Sequence, residues 1–516
     1  MRILFFHYGD EAWFGIAYLS AVLKNAGHRT NLLLYPPLDL YMNLPFFRKH
    51  IEKRLMEQAH EFRPDLIAFS ATTYAYKTVK KMASRLKQAL NVPHVVGGIH
   101  ATALPEHVLT TAEFDVACLG EGEGALLDLV RRMAAGADIT DIENLYVKRG
   151  GAVFRNPVRP LIQDLDSLPF PDYDIFAPYG VITGDYAITT SRGCPYSCTY
   201  CCNHFYKGLY KGKGRYVRRR SVENVIEEIV INRKRFGFER IYFWDDVFCR
   251  DVPWLEEFSE KYRKTVGLPF HCLSRPETLT AETVGLIKAA GCSHVNMGIE
   301  SGNERIRKDV LNRNMTDEHI LRAAELVKRY GIKLNVFNMF GIPEEGPEEM
   351  WDTVQINERI SPDGTFGFLL TPFPGTKILE HAKQNGMISL SQEMDLKEGN
   401  IAHLQDNDAN VGLSHPHKAT AVKLKTFLPI MELGPQWLKP YWKHKMKVRE
   451  DSRLNSFFYF LYLISADPSR LKYKAEEFFR LLLYYLIPLR LKIKRESSGE
   501  RMPTDELEKQ NRFLSS

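Results

Sequence analysis

Two successive series of strand-like and helix-like segments predict an α/β protein. The first series suits a doubly wound, Rossmann-like sheet and the second a partial barrel of six strand–helix units. A third observation is the change of pattern near residue 400, after which the chain reads as mainly helical, aromatic and basic. These observations divide the 516 residues into a first domain at 1–145, a linker at 146–180, a barrel at 181–400 and a C-terminal region at 401–516. That length suits two or three domains, each able to bury its own core. With 44% hydrophobic and 26% charged residues, the composition excludes global disorder.

The first series opens with the apolar run at 2–6. A helical pattern of Ile16, Leu19 and Leu23 follows and stops at Gly27-His28. NLLLY (31–35), DLIAFS (65–70), HVVGG (94–98) and FDVACLG (114–120) read as buried strands, with helices at 77–90 and 123–134 between and after them. Parallel sheets bind ligands beyond the carboxyl ends of their strands. Those ends carry His7-Tyr8-Gly9, Ser70-Ala71-Thr72, Gly97-Gly98 and the run Gly120 to Glu123. Pro157, Pro160, Pro169, Pro171 and Pro178 then interrupt the alternation and predict an extended strap. The second series comprises AITTS (187–191), RIYFW (240–244), FHCLS (270–274), HVNMGIE (294–300), LNVFNMF (334–340) and TFGFLL (365–370).

Directly after the first of these strands, where barrel chemistry is expected, stands SRGCPYSCTYCC. Cys194, Cys198 and Cys201 follow Arg192-Gly193 at CxxxCxxC spacing. Three thiolates this close can hold three corners of an iron–sulfur cube and leave the fourth iron without a protein ligand. An open iron can bind and reduce a small molecule. Zinc is the competing reading, but the spacing lacks the paired knuckles of a zinc ribbon. Cys202 reads as a non-ligating neighbour, and Cys118, Cys249, Cys272 and Cys292 as small core residues. Clustered cysteines point to metal binding in a reducing cytoplasm, and the N-terminus lacks the long apolar run of an export signal.

Across residues 180–385 these features resemble the radical S-adenosylmethionine (SAM) superfamily. The resemblance implies that Cys194, Cys198 and Cys201 ligate a [4Fe–4S] cluster, with the amino and carboxylate groups of SAM on the open iron. An electron from a flavodoxin- or ferredoxin-type donor would then cleave SAM to methionine and a 5′-deoxyadenosyl radical. By the same resemblance Tyr200 lies beside the adenine. Met297, Gly298, Glu300 and Ser301, in MGIESG, lie near SAM, and Gly341 and Pro343, in MFGIPE, form an adenine-contacting turn. PFPGT (372–376) matches a frequent ending of the sixth strand. Two positions depart from the pattern. Phe337 stands where glycine is frequent, and Trp244-Asp245-Asp246 replaces a Gly-Gly-Glu run, which leaves open the residue that holds SAM's amino group. Asp245 and Asp246 read equally well as a helix cap or as lining of the barrel mouth.

The first domain resembles the cobalamin-binding module that precedes one radical SAM subfamily, through GIAYLSAVLKNAGH (15–28), VVGGIHATALPE (95–106) and LGEGEGALLDLV (119–130). Ser70, Thr72, Gly97, Gly98 and Thr102 are the candidates for letting a corrinoid's nucleotide tail lie against the sheet. Many corrinoid proteins carry DxHxxG in the first loop; here Asp10, Ala12 and Gly15 occupy that spacing, and alanine cannot ligate cobalt. The resemblance therefore implies cobalamin held without a histidine from this motif. His100 is favoured as a hydrogen-bonded structural residue over a ligand. The activity implied is methylation of an unactivated carbon in a small-molecule or lipid substrate. Oxidative cyclisation or ring rearrangement with the same cofactors is an alternative. A non-catalytic cobalamin sensor or carrier is another, against which the intact cysteine triad argues.

The net charge of +6 is unevenly placed. Residues 421–496 hold 16 Lys and Arg against 7 Asp and Glu. Within this region SFFYFLYLI (456–464) and FFRLLLYYLIPL (478–489) are too short to span a bilayer. With Trp437, Tyr441, Trp442 and their basic flanks they fit a peripheral membrane contact or, equally, a helical lid with a basic solvent face. Nucleic-acid binding is disfavoured, because no recognised RNA module accompanies the basic and aromatic residues.

Overall fold

The computed structural model describes residues 1–37, 45–182, 184–401 and 413–433. The apolar and basic segments beyond residue 433, including Trp437, Tyr441 and Trp442, lie outside the described residues. The first sheet contains β1 (Arg2–Tyr8), β2 (Arg29–Tyr35), β3 (Leu66–Ser70), β4 (His94–Gly97), β5 (Val116–Cys118), β6 (Leu145–Arg149) and β7 (Ala152–Arg155). Their spatial order is β2-β1-β3-β4-β5-β6-β7. The first five strands pair in parallel, as apolar runs buried on both faces require. Ile3, Leu4, Phe5 and Phe6 are all buried, as are Leu32, Leu33 and Leu34. Helices Phe14–Asn25, Tyr76–Leu90 and Glu123–Ala134 supply the covering layers.

The linker expected from residue 146 starts later than its sequence suggested. β6 and β7 form an antiparallel hairpin that extends the first sheet to Arg155. The proline-rich strap follows, with only short 3₁₀ turns at Leu165–Ser167, Tyr173–Ile175 and Ala177–Tyr179. It is fastened on both sides. The Asp172 amide donates to Ala17 O, Lys24 pairs with Asp172 at 2.7 Å, and Tyr173 Oη donates to Ala187 O at 2.8 Å.

The second sheet contains β8 (Asp185–Ile188), β11 (Arg240–Phe243), β12 (Phe270–Ser274), β13 (Cys292–Glu300), β14 (Lys333–Phe340) and β15 (Gly364–Leu369), all parallel, in the order β15-β14-β13-β12-β11-β8. A two-stranded ribbon of β9 (Ser191–Arg192) and β10 (Arg218–Arg219) stands apart from it. Period-two alternation gives this sheet two unlike faces. Ile241, Phe243, Cys272, Val295, Met297 and Val336 are buried in one core with Ile229, Phe258, Ile287 and Val327 of the outer helices. Their neighbours Tyr242, Leu273, Gly298, Phe337 and Phe366 point the other way and stay half-accessible. Among the described residues, no helix is long and apolar enough to cross a membrane.

Candidate active site

The cysteine loop leaves the carboxyl end of β8 and is clamped by the end of β11. Asp245, 1% exposed, accepts the Thr190 amide at 3.0 Å, the Thr190 hydroxyl at 2.7 Å and the Ser191 hydroxyl. It is therefore neither a helix cap nor part of an open mouth; Asp251 caps the helix Val252–Thr265 instead. Asp246 is accessible yet faces protein on most sides, and burial pushes its carboxyl up. Gly193 takes φ +86, and a Cβ there would stand 2.5 Å from the Tyr216 carbonyl oxygen, so the loop needs glycine at this point.

The three thiols differ in their surroundings. Cys198 is buried, and the Arg275 guanidinium donates to its sulfur at 3.3 Å, with Arg313 at 3.9 Å. Asn203 Nδ2 donates to Cys201 Sγ at 3.6 Å. Burial pushes the Cys194 thiol up to about 11. Hydrogen bonding, first from Cys202, brings Cys201 down to about 7. Two guanidinium groups are thus turned toward one sulfur and offer it charged donors. Among the described residues no three His, Cys, Asp or Glu side chains converge on a single ion. Three cysteine sulfurs on one loop are the donors that a cube takes, with each thiolate on its own iron. The donor set fits a cluster.

Arg313 extends this polar chain to the end of β13. It donates to Tyr200 Oη at 3.0 Å and to Gly298 O, and lies 3.6 Å from Glu300. The β13–β14 register shifts between Gly298 and Glu300, and Glu300 sits at φ +72, a conformation uncommon for a residue with a side chain. Ser301 is buried and bonds Glu345 at 3.4 Å, while Glu345 accepts the amides of Gly341 at 2.9 Å and Ile342 at 3.2 Å. Glu345 thus ties the MGIESG segment to the turn that holds Gly341 and Pro343. Its burial pushes the carboxyl up to about 8. Ser301 and Met297 are both fully buried, and Met297 faces away from the polar chain. Its side chain is 0% exposed and packs on the helical face of the sheet, so only its backbone borders the site.

At the first sheet, Gly98 takes φ +92, and an added Cβ would lie 2.7 Å from Ala71 O; the missing side chain is used by β3 itself. Thr102 is buried, with its hydroxyl donating to Gly98 O at 2.8 Å and accepting the Gly120 amide at 3.0 Å. It holds the ends of β4 and β5 together. Ser70, Thr72 and Gly97 are half-buried along the same edge, and Gly98 is exposed. His100 is structural: Nδ1 bonds Thr73 Oγ1 at 3.2 Å, the ring stacks on Tyr76 at 4.1 Å, and burial lowers it to about 3. His7, at the end of β1, stacks on Trp13 at 5.7 Å, and its buried Nε2 has no partner among the described residues. An orphaned nitrogen beside short side chains fits an edge that receives a polar ligand tail.

The two strand-end edges meet. Arg192, two residues before Cys194, bonds Glu123 at 2.6 Å and Glu121 at 3.2 Å, both from the loop and helix after β5. Arg218 adds a 2.8 Å bridge to Glu121, and Tyr210 Oη accepts the Glu121 amide at 2.8 Å.

Residues 7–130 match the model of the B12 binding domain, and residues 188–356 match that of the radical SAM superfamily. An uncharacterized methyltransferase of Pyrococcus horikoshii, PH0819, is 31% identical over 344 residues, covering 64% of this chain and 71% of that one. The chain belongs to the cobalamin-binding radical SAM superfamily. A second relative, the anaerobic magnesium-protoporphyrin IX monomethyl ester cyclase of Rubrivivax gelatinosus, is 26% identical over 74% of this chain and 70% of its own. The fold matches that of the radical SAM methyltransferase TsrM from Kitasatospora setae with cobalamin and a [4Fe–4S] cluster bound. That match has a TM-score of 0.60 at 20% identity, over 75% of this chain and 79% of that one.

As a cobalamin-dependent radical SAM enzyme, the protein uses a [4Fe–4S] cluster, SAM and cobalamin, and needs a reductant and a substrate. Sequence reasoning missed Arg275, Arg313, Asn203 and Glu345. Only Arg275 carried a usable signal, since it directly follows the carboxyl end of β12, the position at which barrel strands present chemistry.

Proposed function

We propose that this enzyme transfers a methyl group to an unactivated carbon of a small-molecule or lipid substrate. The observation that supports this reading best is the joining of the two strand-end edges by Arg192, Glu121 and Glu123, beside Cys194. The methyltransferase relative points the same way. When bound, the three cofactors together supply a hydrogen-abstracting radical and a methyl donor.

Cys194, Cys198 and Cys201 would hold the cluster, and the Arg275 and Arg313 guanidinium groups donate to the Cys198 sulfur. Tyr200 lies beside the adenine, with its hydroxyl fixed by Arg313. Gly298, Glu300, Ser301, Gly341 and Pro343 would border SAM, and Glu345 ties the two segments that carry them through Ser301 and the Gly341 amide. Met297 contributes backbone alone. Ser70, Thr72, Gly97 and Gly98 would receive the nucleotide tail of cobalamin, and Thr102 ties Gly98 to Gly120. The reductant is a flavodoxin- or ferredoxin-type protein.

The test uses SAM labelled in its methyl group, with the reconstituted enzyme and extracts of a strain lacking it. Label in a product together with 5′-deoxyadenosine is expected, and Cys198→Ala should abolish both while leaving corrinoid absorption in place. Continued 5′-deoxyadenosine formation with no label in product would transfer the assignment to ring formation, which the cyclase relative favours.

A further inference from the structure

From Tyr186 to Val222 the chain holds eight Lys and Arg side chains and no Asp or Glu. The structure divides these cations into two sets. Four turn inward: Arg192 on Glu121 and Glu123, Arg218 on Glu121, Arg220 on Glu228 at 2.6 Å, and Arg219 stacked on Trp254 at 3.9 Å. The other four, Lys207, Lys211, Lys213 and Arg215, meet no carboxylate among the described residues. Lys211 and Arg215 are exposed, and Lys207 and Lys213 are half-buried.

The charge left over lies against the cysteine loop. On the helix Cys202–Leu209, His204, Lys207 and Gly208 share one face, and Lys211 continues it one turn on. The Lys207 ammonium reaches back across the loop and donates to Pro195 O at 2.5 Å, Tyr196 O at 2.6 Å and Ser197 Oγ at 3.1 Å. Those three residues are the whole stretch between Cys194 and Cys198, and Pro195 is exposed. Lys377 is a further exposed cation here. Its charge and that of Lys207 add to burial in holding the His204 ring below its usual pKa. The next residue, Ile378, gives its amide to Thr199 O at 3.0 Å, so this element too is tied to the loop.

The face is firm and unshielded. Gly208, Gly212 and Gly214 alternate with the cations and are exposed, and a Cβ at Gly208 or Gly212 would meet nothing within 4 Å. Gln163 of the strap accepts the Arg215 amide at 3.0 Å, and Lys213 O accepts the Leu161 amide at 2.9 Å. Cations fixed on an accessible surface, with no carboxylate of their own, attract and orient an acidic partner.

We propose that this face docks the small acidic carrier protein that reduces the cluster, with Lys211, Lys213, Arg215 and Lys377 meeting its carboxylates. The proposal rests on the enzymatic reading above and names where its reductant binds. The docked carrier stands over Pro195, the exposed residue that follows a cluster ligand. There the carrier loses one electron and the cluster gains it; no bond forms or breaks and no proton moves.

The test is calorimetric titration of the reconstituted full-length enzyme with two acidic carriers, a flavodoxin and a [2Fe–2S] ferredoxin. Saturable binding of at least one is expected, and it should weaken as salt is added. Reversing three charges together, Lys211→Glu, Lys213→Glu and Arg215→Glu, should weaken it by about tenfold or more. Lys211→Arg with Lys213→Arg should retain it. The ratio of carrier-driven to dithionite-driven 5′-deoxyadenosine formation should fall by a similar factor in the charge-reversed variant. No binding of either carrier, or undiminished binding by that variant, would overturn the proposal. So would poly(U) RNA bound more tightly than both carriers and lost in the same variant. The enzymatic reading is judged separately, by whether the unsubstituted enzyme cleaves SAM with dithionite alone, which needs no carrier.

Discussion

The two sheets present their carboxyl edges to the same region but prepare them differently. The first sheet closes its edge with its own hydrogen bonds: Thr102 is committed to Gly98 and Gly120, and His100 to Thr73. What it leaves for a ligand is backbone, small side chains and the His7 nitrogen. The second sheet populates its edge with ionisable side chains, Asp245, Arg275, Arg313 and Glu345, each holding another functional segment in place. An edge of the first kind recognises shape and can admit a large ligand. An edge of the second kind fixes the positions of reacting groups and stabilises thiolate charge.

The bridge between the edges offers the harshest way to break this comparison. Burial works against the charge of Glu123, but Arg192 outweighs it and holds Glu123 below the usual carboxylate range. Arg192→Met would strand that carboxylate and should cost about 3–5 kcal/mol at neutral pH, read from urea denaturation. The double change with Glu123→Gln should recover most of the loss, since both partners of the buried pair are then neutral. An equal loss in the double variant would show that the bridge is not what joins the edges.

How much of this was legible depended on sequence distance. The cysteine spacing, the strand-end glycines and the two alternating series are local, and each was readable within a dozen residues. Arg275 and Arg313 reach Cys198 across 77 and 115 residues, and Ser301 meets Glu345 across 44. No local pattern announces such pairs. Met297 is a different case. Alternation puts Val295, Met297 and Ile299 on one face and Asn296, Gly298 and Glu300 on the other, so its turn toward the helices was available from HVNMGIE. The β6–β7 hairpin was likewise signalled by alternating residues around Gly150-Gly151, but the prolines that follow drew the whole stretch into a linker.

A milder change sharpens the contrast from the first sheet. Gly98→Ala forces a Cβ against the Ala71 backbone at a positive φ, and should cost about 1–3 kcal/mol. Its effect should fall on corrinoid retention, read from the absorption spectrum after gel filtration, with the cluster's spectrum unchanged. Equal loss of both chromophores would mean that the two edges are not prepared independently.

The effect of Glu345 is visible only against pH. Its carboxyl is raised from 4.5 to about 8 by burial, which outweighs the stabilising bonds from Ile342, Gly341 and Ser301. Between those values the folded state keeps a proton that the unfolded chain has released, so this residue makes stability fall as pH rises through the window. Glu345→Gln keeps an acceptor for the two amides and a polar group beside the Ser301 hydroxyl, but has no proton to lose. The variant should therefore match the parent near pH 5 and gain on it steadily up to pH 8, measured as the shift in urea midpoint. Parallel pH profiles would mean that the carboxylate is ionised in the folded protein. Ser301 and the turn at Gly341 would then be tied by a charge and not by a neutral acid.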